Sequence, residues 1–82
     1  MENLTIEKRP CGSLETVKIT GFTEQELSKL KSMDHEASQD FLVEMLNARN
    51  NGIGTQWQCG YGIYSLWYDD EAAYMNIGKS CD

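Results

Sequence analysis

Between Asp34 and Asn51 the apolar residues recur at the spacing of a helix. At about 100° per residue, Phe41, Leu42, Met45, Leu46 and Ala48 share one side, while Glu36, Asp40 and Glu44 follow one another at i, i+4 and i+8 on the other. One side calls for a core and the other offers carboxylates to solvent. Asp34 fits the N-cap, Arg49 in the last turn suits the negative end of the helix dipole, and Asn50-Asn51-Gly52 supplies a stop. Just upstream, Phe22 to Leu27 reads as a capping box, with Thr23 at the N-cap, Glu26 at N3, and Phe22 and Leu27 placed as a hydrophobic staple. A short helix over 24–31 follows from it.

The flanks carry strand signals. Leu4 to Lys8 and Leu14 to Thr20 contain Thr, Ile and Val and are separated by Pro10-Cys11-Gly12-Ser13, which predicts a β-hairpin. Beyond Gly52 the run Gln56 to Tyr68 is rich in Trp, Tyr and Ile and predicts a strand that Gly60 and Gly62 bend or split. Asp69-Asp70-Glu71 makes a polar turn, and Ala72 to Ile77 returns as the antiparallel partner. The expected order is ββααβββ, a single α+β domain over 1–82 with two helices on one face of an antiparallel sheet.

Composition sharpens this picture in two ways. A chain of 82 residues buries only about 60% of the surface it exposes unfolded, so its stability is thin and a staple would help. Eight aromatic residues and 40% hydrophobic content speak for a folded core rather than an acidic disordered tail. The opening residues lack the apolar segment of a secretory signal, and no apolar run approaches the roughly 18 residues of a membrane span, so a cytoplasmic protein is expected.

Charge is distributed unevenly. Residues 1–33 balance five acids against five bases; from Asp34 onward eight acids meet only Arg49 and Lys79, which accounts for the net charge of −6. Direct nucleic-acid binding needs a basic footprint, and this chain has none. A basic protein surface is the natural complement, with plain solubility as the other use of the excess acid.

The residues able to carry chemistry are few. Cys11, Cys59 and Cys81 with the one histidine, His35, complete a Cys₃His set for tetrahedral zinc. Each sits where a ligand can point at a metal: a hairpin turn, a helix start, a glycine-flanked strand bend and the tail. Their spacings contain no C-x-x-C knuckle, and thiols buried as small hydrophobes or a Cys11 to Cys81 disulfide are the alternatives. Four protein ligands would close the coordination, making the zinc structural rather than catalytic. Gly52-Ile53-Gly54 and Gly60-Tyr61-Gly62 are bare G-x-G pairs, not a phosphate cradle, and Asp69-Asp70-Glu71 lacks the spaced ligands of a calcium loop. With no nucleophile motif either, a non-enzymatic role is expected.

That leaves the stripe Glu36, Asp40, Glu44 and the cluster Asp69, Asp70, Glu71 as contacts for a basic partner, with Tyr64, Tyr68 or Tyr74 as aromatic anchors. In size, charge, this stripe and the Cys11, His35, Cys59, Cys81 set, the chain resembles the small acidic inhibitors that phages and mobile elements encode against bacterial nucleic-acid enzymes. Among them it is most similar to the anti-CRISPR proteins that bind RNA-guided nucleases, some of which are metal-stabilised. The resemblance implies a cytoplasmic inhibitor in a bacterial host that covers a basic surface and blocks DNA loading. The alternative is a metal-free structural or regulatory protein.

Overall fold

The computed structural model describes residues 3–12, 14–59 and 62–78, and only the backbone of Cys11, Gln58 and Cys59. In chain order the elements are β1 (Thr5–Cys11), β2 (Leu14–Thr20), α1 (Glu24–Ser32), α2 (His35–Arg49), α3 (Ile53–Cys59), β3 (Ile63–Tyr68) and β4 (Ala73–Gly78). The strands form one antiparallel sheet in the order β1-β2-β4-β3, giving the expected α+β class. Each hairpin contributes one inner strand, so β1 and β3 are the edges.

Alternation along the inner strands decides which face is covered. Val17 and Ile19 on β2 and Ala73, Met75 and Ile77 on β4 are buried, and the residues between them are only half-buried. The register sets Val17 opposite Met75 and Ile19 opposite Ala73, which concentrates the apolar side chains on one face. Leu27 and Leu30 of α1, Leu42, Met45 and Leu46 of α2, and Trp57 of α3 close over it. Leu4, just ahead of β1, is drawn into the same core at 3% exposure. The opposite face carries Glu7, Arg9, Thr16, Lys18, Trp67, Tyr74 and Asn76, and among the described residues no helix packs on it.

Two expectations need correction. Ile53–Cys59 is a third helix, where the aromatic composition points to a strand from Gln56. Asn51 and Gly52, at φ 55 and 78, turn the chain back on α2, and the Gly52 N–H bonds the Asn47 carbonyl at 3.1 Å. A helix then restarts, with Ile53 and Trp57 four residues apart and both turned to the core. Asn47 locks it, donating from Nδ2 to Thr55 Oγ1 and accepting the Thr55 N–H at Oδ1, both at 2.8 Å. The strand proper starts at Ile63, beyond the glycines. The second correction is Ala48, which is exposed; Val43 and Ser38 are buried instead. By helical geometry α3 covers the flank carrying Val43 and Asn47, and Ala48 lies on the other.

Ser38 is the one buried polar residue among those described. Its hydroxyl donates to the Leu30 carbonyl at 2.9 Å and accepts from the Tyr68 hydroxyl, tying α1, α2 and β3 together.

Candidate protein-binding surface

Helix α2 presents the acidic stripe. The Asp34 carboxylate accepts the Ala37 N–H at 2.8 Å and fixes the start of the helix. At the other end Asn50 grips the backbone of Leu4 from both sides, accepting its N–H at 3.1 Å and donating to its carbonyl at 3.0 Å. Between these anchors Glu36, Asp40 and Glu44 are all exposed, roughly 6 Å apart along the axis, on the side opposite Ser38, Leu42 and Met45.

The cations nearby are used elsewhere. Arg49, the only lysine or arginine of α2, reaches α1 and pairs with Glu26 at 2.6 Å, the sole ion pair among the described residues. Lys29 of α1 lies over the Phe41 ring at 4.5 Å. Glu26 does double duty, accepting the Thr23 N–H at 2.9 Å as the N3 residue of the capping box. That backbone bond, then the Arg49 guanidinium, holds its carboxyl below the usual range.

The second predicted cluster divides. Asp69 is occupied within its own turn: it accepts the N–H groups of Glu71 and Ala72 at 2.9 and 2.8 Å and the Tyr74 hydroxyl at 2.5 Å. The Tyr74 hydroxyl first, then those amides, keeps its carboxyl low, and the same bond pushes the Tyr74 phenol up. Asp70 and Glu71 remain exposed and border a shallow cleft against α1, floored by Phe22 and Leu27 and edged by Glu24 and Lys31. This turn lies at one end of the sheet; the stripe faces away from the sheet altogether. Asp70 and Glu71 thus belong to the cleft against α1, and Glu36, Asp40 and Glu44 to the exposed side of α2.

Of the aromatic anchors, Tyr68 is held in the interior by Ser38, and burial pushes its phenol up. Tyr74 stacks on Trp67 with ring centroids 5.7 Å apart and planes 6° apart, and Lys18 sits 6.0 Å above its ring. Among the described residues Tyr64 and Trp67 are the exposed large hydrophobics, at 58% and 41%. Trp67 is not among the anchors expected from the sequence. Its parity with Tyr74 across the hairpin, set by the Asp69 turn, is the signal that marks it.

The expected zinc ligands lie mostly outside the described residues: Cys81 wholly, and Cys11 and Cys59 in their side chains. Their described backbone is informative. Cys11 pairs with Leu14, Leu14 with Gly78, and the Gly78 N–H bonds the Gly62 carbonyl at 3.0 Å, so β1 ends where β4 ends and β3 begins. Cys59 closes α3 a few residues before that point. His35 is exposed at the start of α2, one turn from Ser38, which meets Tyr68 at the other end of β3. Among the described residues no group of three or more His, Cys, Asp or Glu side chains could hold a metal ion.

No family model, curated protein or solved structure matches the chain. Among the described residues no helix is long and apolar enough to cross a membrane.

Proposed function

We propose that this chain is a small acidic binding protein without catalytic activity, which occupies a basic nucleic-acid-binding surface of a bacterial enzyme in the cytoplasm and keeps DNA from loading. The observation that carries the reading is the α2 stripe: three exposed carboxylates on one rigid helix whose only cation turns inward to Glu26. Like charges at i, i+4 cost a helix a few tenths of a kcal/mol each, a cost that a Lys/Arg groove on a partner would reverse. Among such partners an RNA-guided nuclease fits best, as the anti-CRISPR resemblance implies. A structural zinc on Cys11, Cys59 and Cys81 belongs to the same proposal as a staple for a thin core; His35, the fourth ligand expected from the sequence, starts α2 one turn from the residue that meets Tyr68 at the opposite end of β3.

The test is a titration of bacterial DNA-binding enzymes, RNA-guided nucleases among them, with the purified protein and with a variant carrying Glu36→Lys, Asp40→Lys and Glu44→Lys. Inhibition should weaken as salt rises and disappear in the triple variant while its circular dichroism is unchanged. Inhibition that survives all three reversals rules the stripe out as the contact.

A further inference from the structure

The two edges of the sheet are built differently. β1 reads Thr-Ile-Glu-Lys-Arg-Pro-Cys: three consecutive charged residues and a proline, devices that keep another strand from pairing with an edge. β3 reads Ile-Tyr-Ser-Leu-Trp-Tyr, with no charge and no proline, and holds the two exposed large hydrophobics among the described residues, Tyr64 and Trp67. Its register shift lies between Ile63 and Ser65, which leaves Ser65 to Tyr68 regularly paired with β4 on one side. Among the described residues no strand pairs with it on the other. Beyond that register shift, which guards only the first residues of the strand, an uncharged aromatic edge is a template for strand addition.

We propose that β3 is the seam of a homodimer, in which β3 of two copies pair antiparallel about a two-fold axis at Leu66 and join two four-stranded sheets into one. Strand parity fixes the register. With Leu66 opposite Leu66 of the second copy on the helix-covered side, Ser65 stands opposite Trp67 of that copy on the open side, and Trp67 opposite its Ser65. Each indole thus lies across a small residue, with Tyr64 of the other copy next to it.

Charge favours a second copy over a basic strand. β3 has no ion to offer a cationic segment, and Asp70 and Glu71 lie beyond its end. In the antiparallel pair the two Asp69–Glu71 turns fall at opposite ends of the seam. Their Asp69 residues are six positions apart, roughly 20 Å at about 3.3 Å per residue, more than twice the Debye length of about 8 Å. The seam is shorter than a standard interface, so association is weak.

This inference stands apart from the proposed inhibitory contact, and salt separates the two. A carboxylate stripe on a basic partner weakens with salt, whereas pairing of two copies of net charge −6 through an uncharged strand strengthens. Sedimentation equilibrium of the full chain, with reductant to prevent thiol cross-linking, should show a monomer–dimer equilibrium that tightens between about 50 and about 500 mM NaCl. Ser65→Lys and Trp67→Lys should each weaken it at least about tenfold with unchanged far-ultraviolet dichroism. Tyr64→Lys, at the most exposed position, gives the same reading if either of those loses its fold. A chain that stays monomeric near 1 mM in both salts, or a dimer that folded Lys variants leave intact, overturns the proposal.

Discussion

Gly54 lies where α3 crosses α2. A Cβ there would come 2.6 Å from the Val43 carbonyl oxygen and 3.0 Å from both Val43 Cγ1 and Asn47 Oδ1. The first of these is backbone and cannot swing aside, so the helices would have to part. Gly54→Ala gains up to about 1 kcal/mol in helix propensity, yet overpacking costs about 1–3 kcal/mol. A net loss of about 1 kcal/mol in urea unfolding, with an unchanged m value, is expected; a stabilised variant would show that α3 does not pack this closely. Asn50 and Asp69 act at the same scale. One amide closes the gap between Leu4 and the end of α2, and one carboxylate gathers three donors to shape the β3–β4 turn.

Between elements, Glu26 joins the cap of α1 to the last turn of α2. Its pKa is lowered in the folded chain, so its contribution is complete above the unfolded carboxylate value of about 4.3 and is lost as pH falls through the folded value. Glu26→Gln should cost about 0.5–1 kcal/mol at pH 7, the scale of a partly exposed ion pair. The difference from wild type should narrow as pH falls from 7 through the lowered folded value, measured as urea midpoints against pH; a gap that does not change with pH would show that packing, not charge, is involved. This α1 cap was legible in the sequence because Thr23 and Glu26 are three residues apart and act locally. The bounds of α2 and its exposed stripe were legible for the same reason. Helix α3 was not: over seven residues the i, i+4 pair Ile53 and Trp57 competes with an aromatic content that reads as strand, and contacts with Val43 and Asn47 decide the outcome. Likewise, nothing local shows that Tyr68 belongs to the core, since Ser38 reaches it from thirty residues away.

Across the whole molecule, the register makes one end of the sheet a meeting point. There β1 finishes at Cys11, β4 at Gly78 and the connection from Cys59 enters β3, while His35 starts α2 one turn from the residue that meets Tyr68 at the far end of β3. Were a zinc held by Cys11 and Cys59, it would lie toward the end of the sheet away from His35, and a donor other than the imidazole would complete its coordination. In protein purified without chelator or affinity-metal resin, Cys11→Ser and Cys59→Ser should each lower the zinc content found by elemental analysis. The melting temperature should fall with it by more than about 10 °C, since structural zinc is worth several kcal/mol and each shifts a domain of this size by about 4–8 °C. His35→Ala should leave both quantities unchanged. Zinc lost from the His35→Ala protein would restore the four-ligand site and require α2 to begin close to the Cys11 end. Thiol variants that keep the wild-type melting temperature would instead leave the core to hold on burial alone, with Val17, Ile19, Leu30, Leu42, Leu46 and Met75 at its centre.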